Sequence, residues 1–384
     1  MPKTLVNIIT DDNPIPAYLF IKEKYEAGDR IMYISAKDTE DDLEWLAVID
    51  GVPSESMTVI LLKNGIDEFR YEKICRAVRN HLERGVHYYV NLAGGTRYMA
   101  LAVQQVLKNF DATFFYVNLE DNTIVKSIFD DSIYDDDDFS YPIRHRMKIS
   151  EYLQAHEIEH DLFMTGHAPE MPFTSAENMF TLFSQNLLTN QDYRVMETLR
   201  LYYRNCKQDI EISEIESPLH SDRPAIPDIR NFLEITDIQC HKDRLSHVTL
   251  EWITGGWFED YLYYRIKELV QPDDLALRVH ITRKGARKGN ELDVLFMKDN
   301  RLFVVECKTG VQTESMFSEI VYKACALKEA LLGVSCHSYI ASLKRDKDDN
   351  LKQIAKNMDI TFWDYSIMTR KLEKTLNGVR QMHF

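Results

Sequence analysis

The run 291–308, ELDVLFMKDNRLFVVECK, constrains the fold more tightly than any other stretch of this chain. Leu292, Val294 and Phe296 alternate with Asp293 and Leu295, and Leu302, Phe303, Val304 and Val305 form a second apolar run. Lys298, Asp299, Asn300 and Arg301 lie between them as turn formers. Two such runs around a short polar cluster predict a β-hairpin. Side chains alternate faces along a strand, so Glu306 and Lys308 share a face with Cys307 opposite. In-register pairing then sets Asp293 on the neighbouring strand beside Glu306.

Two carboxylates held that close repel, and a divalent cation with oxygen ligands resolves the repulsion. Asp293, Glu306 and the Cys307 main-chain carbonyl are the expected metal ligands, with Mn²⁺ or Mg²⁺ polarising a phosphodiester and acidifying water. Lys308 is expected to orient or deprotonate the attacking water and to neutralise the transition state. A D…ExK spacing alone recurs by chance. The apolar runs give it weight, because they bury the strands and leave the charges at a mouth.

Charge supports the same region. The chain carries 46 basic and 61 acidic side chains, an excess that argues against a nucleic-acid partner. Yet residues 251–384 hold 21 basic against 19 acidic groups, and the acidic surplus lies in the preceding segments. Arg278, Arg283, Lys284, Arg287 and Lys288 form a basic flap just ahead of the hairpin, suited to a polyphosphate substrate. Six scattered cysteines without a CxxC pair suit a reducing cytoplasm. Neither a signal peptide nor a membrane span is evident.

The first 120 residues alternate strand and helix. Strand-like runs at 5–10, 31–35, 57–62, 86–92 and 112–118, with helical patterns at 66–84 and 96–109, predict a parallel, doubly wound, Rossmann-like sheet. Ligands in such sheets sit beyond the carboxyl ends of the strands, at the switch point. Three loops belong there: one with Thr10, Asp11 and Asn13, one with Ser35 and Lys37, and Asn91-Leu92-Ala93-Gly94-Gly95-Thr96-Arg97. Paired glycines admit close backbone approach, and the helix that follows offers free N–H groups to phosphate. A phosphate-bearing ligand is expected. The missing GxGxxG argues against a dinucleotide cofactor.

An acidic run at 130–138 lacks the glycine and terminal glutamate of a calcium loop and reads as a linker. His156-Glu157-Ile158-Glu159-His160 matches HExxH, but it ends a short helical pattern with no third ligand downstream, so it is read as coincidence. Residues 148–250 read as a mainly helical connector, leaving domains at 1–147 and 251–384. In the last of these a helix from Phe258 carries Glu259 beside its buried face, and a helix over 315–332 carries Tyr322 and Lys323.

Helix, hairpin, helix, strand is the order of a restriction-endonuclease-like core, and Asp293, Glu306 and Lys308 match the PD-(D/E)xK motif. The N-terminal half resembles a CARF domain, the Rossmann-like sensor of cyclic oligoadenylates in type III CRISPR defence. NLAGGTR ahead of a helix and TGGWFEDY opening the nuclease make the whole similar to the CRISPR ancillary nucleases that join one CARF domain to one such nuclease domain. The resemblance implies a homodimer binding one cyclic tetra-adenylate or hexa-adenylate, with Thr10, Asp11, Asn13, Ser35, Lys37, Asn91, Ala93, Gly94, Gly95, Thr96 and Arg97 in the pocket. It further implies metal-dependent cleavage of single-stranded DNA or RNA, or nicking of duplex DNA, as the output. Glu259 resembles the helix acid near the metal, and Arg283, Lys284, Arg287, Lys288, Tyr322 and Lys323 stand on the substrate side. Glu291-Leu292-Asp293 stands in place of the proline-aspartate opening of the superfamily motif. Competing readings are a constitutive nuclease with a dimerising N-terminal domain and a non-catalytic nucleotide-sensing regulator.

Overall fold

The computed structural model describes residues 2–10, 13–36, 52–62, 67–127, 139–161, 169, 171–205, 207–218, 224–283, 289–309, 321–325, 336–344 and 349–381. Two sheets organise them. The first has seven strands: β1 (Thr4–Ile9), β2 (Arg30–Ser35), β3 (Met57–Leu61), β4 (Tyr88–Asn91), β5 (Ala112–Asn118), β6 (Thr123–Ser127) and β7 (Ser140–Pro142). Their order is β3-β2-β1-β4-β5-β6-β7. The first five are parallel, as their apolar runs and intervening helices require, while β6 and β7 return antiparallel. Strand order reverses between β1 and β4, which is the switch point.

Helices α1 (Ile15–Lys24), α2 (Tyr71–Arg79) and α3 (Arg97–Leu107) connect the parallel strands. The sequence of α1, IPAYLFIKEK, has no polar face over its first seven residues, and Ile15 to Ile21 are all buried. A helix apolar all round must be covered on both sides. Here the second cover is α4 (Ile149–Ala155), and one continuous core joins α1, α4 and residues of the second sheet.

The second sheet runs β15-β14-β13-β12-β11-β8. Its centre is the hairpin, β12 (Asn290–Lys298) and β13 (Arg301–Lys308), flanked by β11 (Asp274–Arg283) and β14 (Cys336–Ser342). Phe296 pairs with Phe303 across the hairpin, their rings stacked 4.6 Å apart. A cross-strand aromatic pair of this kind contributes about 0.5–1.5 kcal/mol beyond its burial. The outer strands are β15 (Ile360–Trp363) and β8 (Ile158–Asp161). Strand β8 is the HExxH stretch: α4 ends at Ala155, Glu157 takes φ 58°, and the chain leaves as a strand paired to β11. His156 and His160 therefore do not share a helix, and the motif is no zinc site.

Between these lie α5 (Phe173–Ser184), α6 (Asn190–Asn205), α7 (Ile212–Glu216), α8 (Ile229–Ile235) and α9 (His247–Glu251), with a small ribbon of β9 (Ile210–Glu211) and β10 (Arg244–Leu245). Their apolar faces share one core with α10 (Trp257–Leu269), the hairpin and the closing helix α12 (Leu372–Arg380), while α11 (Asp349–Asn357) packs through Ala355 in a separate small cluster with Val321, Ile340 and Ile360. Phe180 of α5 stacks on Tyr261 of α10 at 4.0 Å. The expected acidic linker and most of the helix over 315–332 fall outside the described residues. Within that span, 321–325 are helical. No described helix is long and apolar enough to cross a membrane.

Candidate active site and sensor loops

The β12–β13 ladder ends at Val294↔Val305, one step short of Asp293 and Glu306. At that opening the Cys307 main-chain N–H donates to Asp293 Oδ2 at 2.6 Å instead of to a strand carbonyl. Lys308 Nζ lies 2.7 Å from Glu306 Oε1 and 3.6 Å from Asp293 Oδ2. The three side chains retain 12%, 10% and 21% of their accessible surface for Glu306, Asp293 and Lys308 respectively, so they line a nearly closed niche. The register read from the alternation is thus the one observed.

Burial and the Glu306 charge push the Asp293 carboxyl well above its ordinary range, against the pull of Lys308 and the Cys307 N–H. For Lys308 burial acts downward, but the two carboxylates outweigh it and raise the ammonium further. Lys308 is consequently a cation at neutral pH. As a cation it can orient water and neutralise developing charge.

Glu259, on the first turn of α10, is raised by burial and by the Asp293 charge, and Arg278 opposes both. It therefore belongs electrostatically to the cluster. Arg278 Nε donates to Glu259 Oε2 at 2.7 Å, and its Nη2 donates to Asp260 Oδ1 at 3.1 Å. This corrects the sequence reading of Arg278 as part of a basic flap for a polyphosphate substrate, since its guanidinium is engaged by Glu259 and Asp260. Glu291 is partly exposed and lies 3.1 Å from His280 Nε2.

Four carboxylates (Asp293, Glu306, Glu259 and Asp260) here face two cations, Lys308 and Arg278. A divalent cation would offset the crowding that raises Asp293 and Glu259, and hard oxygen donors are the set that Mg²⁺ or Mn²⁺ takes. Among the described residues no group of three or more His, Cys, Asp and Glu side chains is arranged to hold a metal ion. Protein ligation would rest on two carboxylates and main-chain oxygen, with water completing the shell. On that chemistry the residues fit.

Of the substrate-side residues, Arg283 ends β11, while Lys284, Arg287 and Lys288 fall outside the described residues. Tyr322 and Lys323 are exposed, on a helical segment seated through Val321 against Ile340, Ala355 and Ile360.

At the switch point of the first sheet, the Thr10 main-chain N–H and Oγ1 both donate to Gly94 O, at 3.2 and 3.0 Å. This ties the loop after β1 to the loop after β4. Gly94 takes φ 95°, and a Cβ there would lie 2.7 Å from Ile8 O, so only glycine fits. A Cβ on Gly95 would lie 2.1 Å from Ile8 Cγ2. Thr96 caps α3, its Oγ1 accepting the Met99 N–H at 3.2 Å, and Arg97 projects outward beside it. Asn91 is fully buried and spends its side chain on Asn7 Oδ1, Pro16 O and the Ala93 N–H. Ser35 is likewise fully buried and Ala93 nearly so. These residues brace the loops, while Thr96 is half-buried and Arg97 exposed at the start of α3. Asn13 lies beside Gly94 with its Oδ1 buried, and Asp11 and Lys37 lie outside the described residues.

Two family models match the chain: the Card1 CARF domain over residues 4–152 and the Card1-like endonuclease domain over residues 247–373. Among solved structures, protein VC1899 from Vibrio cholerae is 16% identical with a TM-score of 0.73, over 99% of this chain and 98% of that one. Can2 from Sulfobacillus thermosulfidooxidans, solved in complex with cyclic tetra-adenylate, is 20% identical with a TM-score of 0.69, over 98% and 99%. A type III CRISPR defence DNA nuclease activated by cyclic oligoadenylate is 15% identical with a TM-score of 0.51, over 89% of this chain and 45% of that one. These likenesses establish a shared fold. No curated protein matches in sequence.

Proposed function

For a chain that belongs to the Card1-like family of CARF-domain endonucleases, we propose that it is a metal-dependent endonuclease switched on by a cyclic oligoadenylate, acting on single-stranded DNA or RNA in type III CRISPR defence. The observation that carries the catalytic half is Lys308 Nζ set 2.7 Å from Glu306 and 3.6 Å from Asp293 in a niche otherwise in carboxylate excess. Asp293, Glu306 and the Cys307 carbonyl would hold the cation, whose contribution is Lewis-acid chemistry at the phosphodiester. Lys308 keeps its proton, orients the attacking water and offsets charge on the transferred phosphoryl group. Burial of the carboxylates excludes bulk water and strengthens each of these interactions.

The sensing half is supported by the braced glycine loop and the N-terminus of α3 at the switch point, which suit the phosphates of a nucleotide ring. Tyr98 and Leu101, on the outer face of α3, are 53% and 58% exposed. They support a homodimer in which two sensor domains share one cyclic tetra-adenylate or hexa-adenylate.

Cleavage of labelled single-stranded DNA and RNA in Mn²⁺, with and without cyclic tetra-adenylate, tests the whole reading. Wild type is run beside Glu306→Ala and Arg97→Glu. Cleavage only with the ring, lost in Glu306→Ala and shifted to higher ring concentration in Arg97→Glu, is expected. Full activity without the ring would reduce the first domain to a dimerisation module.

A further inference from the structure

Arg278 sits mid-strand in β11 with φ 49°, a left-handed conformation that L-residues rarely adopt. The β11–β12 ladder pairs Leu277 with Val294 and Val279 with Leu292, but it is interrupted at the step between, where Arg278 faces Asp293. The faces of the strand also reverse there. Leu277 packs into the core shared with α10, whereas Val279, two residues on, packs into the core shared with the sensor domain. Regular alternation would have placed both on one side.

The reversal turns the guanidinium onto the first turn of α10. Beside its bonds to Glu259 and Asp260, Nη2 donates to Gly256 O at 3.2 Å. A Cβ on Gly256 would lie 2.8 Å from that nitrogen, so the glycine permits the approach. Asp260 is fully buried and is fixed from behind by Trp252 Nε1 at 2.8 Å. One side chain thus locks a buried anchor, Asp260, to a carboxylate of the catalytic cluster, Glu259. Strained backbone persists where its surroundings determine it and gathers at functional sites.

We propose that Arg278 is a positioning residue that aims the Glu259 carboxylate at the Asp293 side of the metal niche, through a two-pronged grip that only a guanidinium can make. The proposal rests on the nuclease reading of that niche. Lysine would keep the charge but not the fork that spans Glu259 and Asp260. Loss of such an outer partner weakens metal binding about 10–100-fold while leaving the ligands in place.

The test is Mn²⁺ titration by calorimetry on the full chain without nucleic acid, for wild type, Arg278→Lys, Glu259→Gln, the double variant and Glu306→Ala, with cleavage kinetics alongside. In Arg278→Lys, Mn²⁺ affinity is expected to fall at least about tenfold, and kcat to fall with KM unchanged. In the Glu259→Gln background the same substitution is expected to add no further loss, because both act through one carboxylate. A merely structural tie would lower the melting temperature, leave Mn²⁺ affinity at the wild-type value and add independently to Glu259→Gln. That result overturns the proposal. Mn²⁺ binding that is equal in wild type and Glu306→Ala would instead remove the nuclease reading, and this proposal with it.

Discussion

Asn300, at the tip of the β12–β13 hairpin, donates its side-chain amide to Asn122 Oδ1 at 2.7 Å, across 178 residues of sequence. The same amide donates to His145 O at 3.0 Å, and Asn300 Oδ1 accepts the Met147 main-chain N–H at 2.8 Å. Asn300 is 1% exposed. The turn that would face solvent in an isolated nuclease domain is therefore clasped by the end of the sensor domain, one hairpin length from Asp293 and Glu306.

Asn300→Gly separates the clasp from the turn. Asp299 and Asn300 take φ 48° and 62°, and glycine accepts that conformation while removing the amide. Asn122 Oδ1 and the Met147 N–H each lose this buried bond, which costs about 1–3 kcal/mol. Urea unfolding is expected to show that loss, Mn²⁺ binding to remain, and the ratio of cleavage with ring to cleavage without it to drop. An unchanged ratio would mean that the hairpin tip carries no signal between the domains.

Lys308→Met removes the ammonium from between two carboxylates while keeping an unbranched, apolar stem of nearly the same length. Cleavage is expected to fall about 10²–10³-fold, the usual loss of a transition-state cation. Mn²⁺ binding should be retained or tightened, because a cation competing for Glu306 Oε1 has gone. Glu306→Gln should lose both. Calorimetry beside single-turnover cleavage distinguishes the two, and loss of Mn²⁺ binding in Lys308→Met would contradict the assigned roles.

Acid sensitivity follows from Glu151, which joins α4 to α1. Burial acts to raise its carboxyl, but His145, the Tyr18 hydroxyl at 2.6 Å and the Lys148 N–H at 2.7 Å outweigh it and pull the value from 4.5 to about 2. A carboxyl depressed in the folded state stabilises the fold above its unfolded value, and the benefit disappears as pH falls from about 5 to about 2. Discounted for its partial exposure, the contribution is about 1–2 kcal/mol. Unfolding free energies at pH 7 and pH 3 should therefore differ by about that much more in wild type than in Glu151→Gln. Equal differences would show that the bond network does not hold the charge.

The elements legible in the sequence are those whose signal is local. Apolar runs such as Leu5 to Ile9 announce parallel strands, and alternation from Leu292 to Val305 sets the register that brings Asp293 to Glu306. What stayed hidden depends on distant partners or on backbone sign. Ile158 to Asp161 is a strand because β11 offers an edge, although its residues spell a helical metal motif. Nothing about an arginine in an apolar strand announces φ 49°, so the sequence groups Arg278 with the basic flap that follows it. Asn91 carries the polarity of a ligand contact, and only the position of Asn7 and Pro16 shows that its amide is already spent.

Thr96→Asp tests the sensor loops without disturbing their fold. Asp caps a helix as well as Thr does, so the bond to the Met99 N–H should survive and stability should change by no more than about 0.5 kcal/mol. The added carboxylate, however, neutralises the helix N-terminus that is assigned to phosphate and repels an anionic ring. Calorimetric titration with cyclic tetra-adenylate should show affinity reduced at least about tenfold, equivalent to about 1.4 kcal/mol, with Thr96→Ser close to wild type. Full affinity in Thr96→Asp would place the ring away from α3 and the Gly94–Gly95 loop, and would leave the switch point as a purely structural joint between β1 and β4.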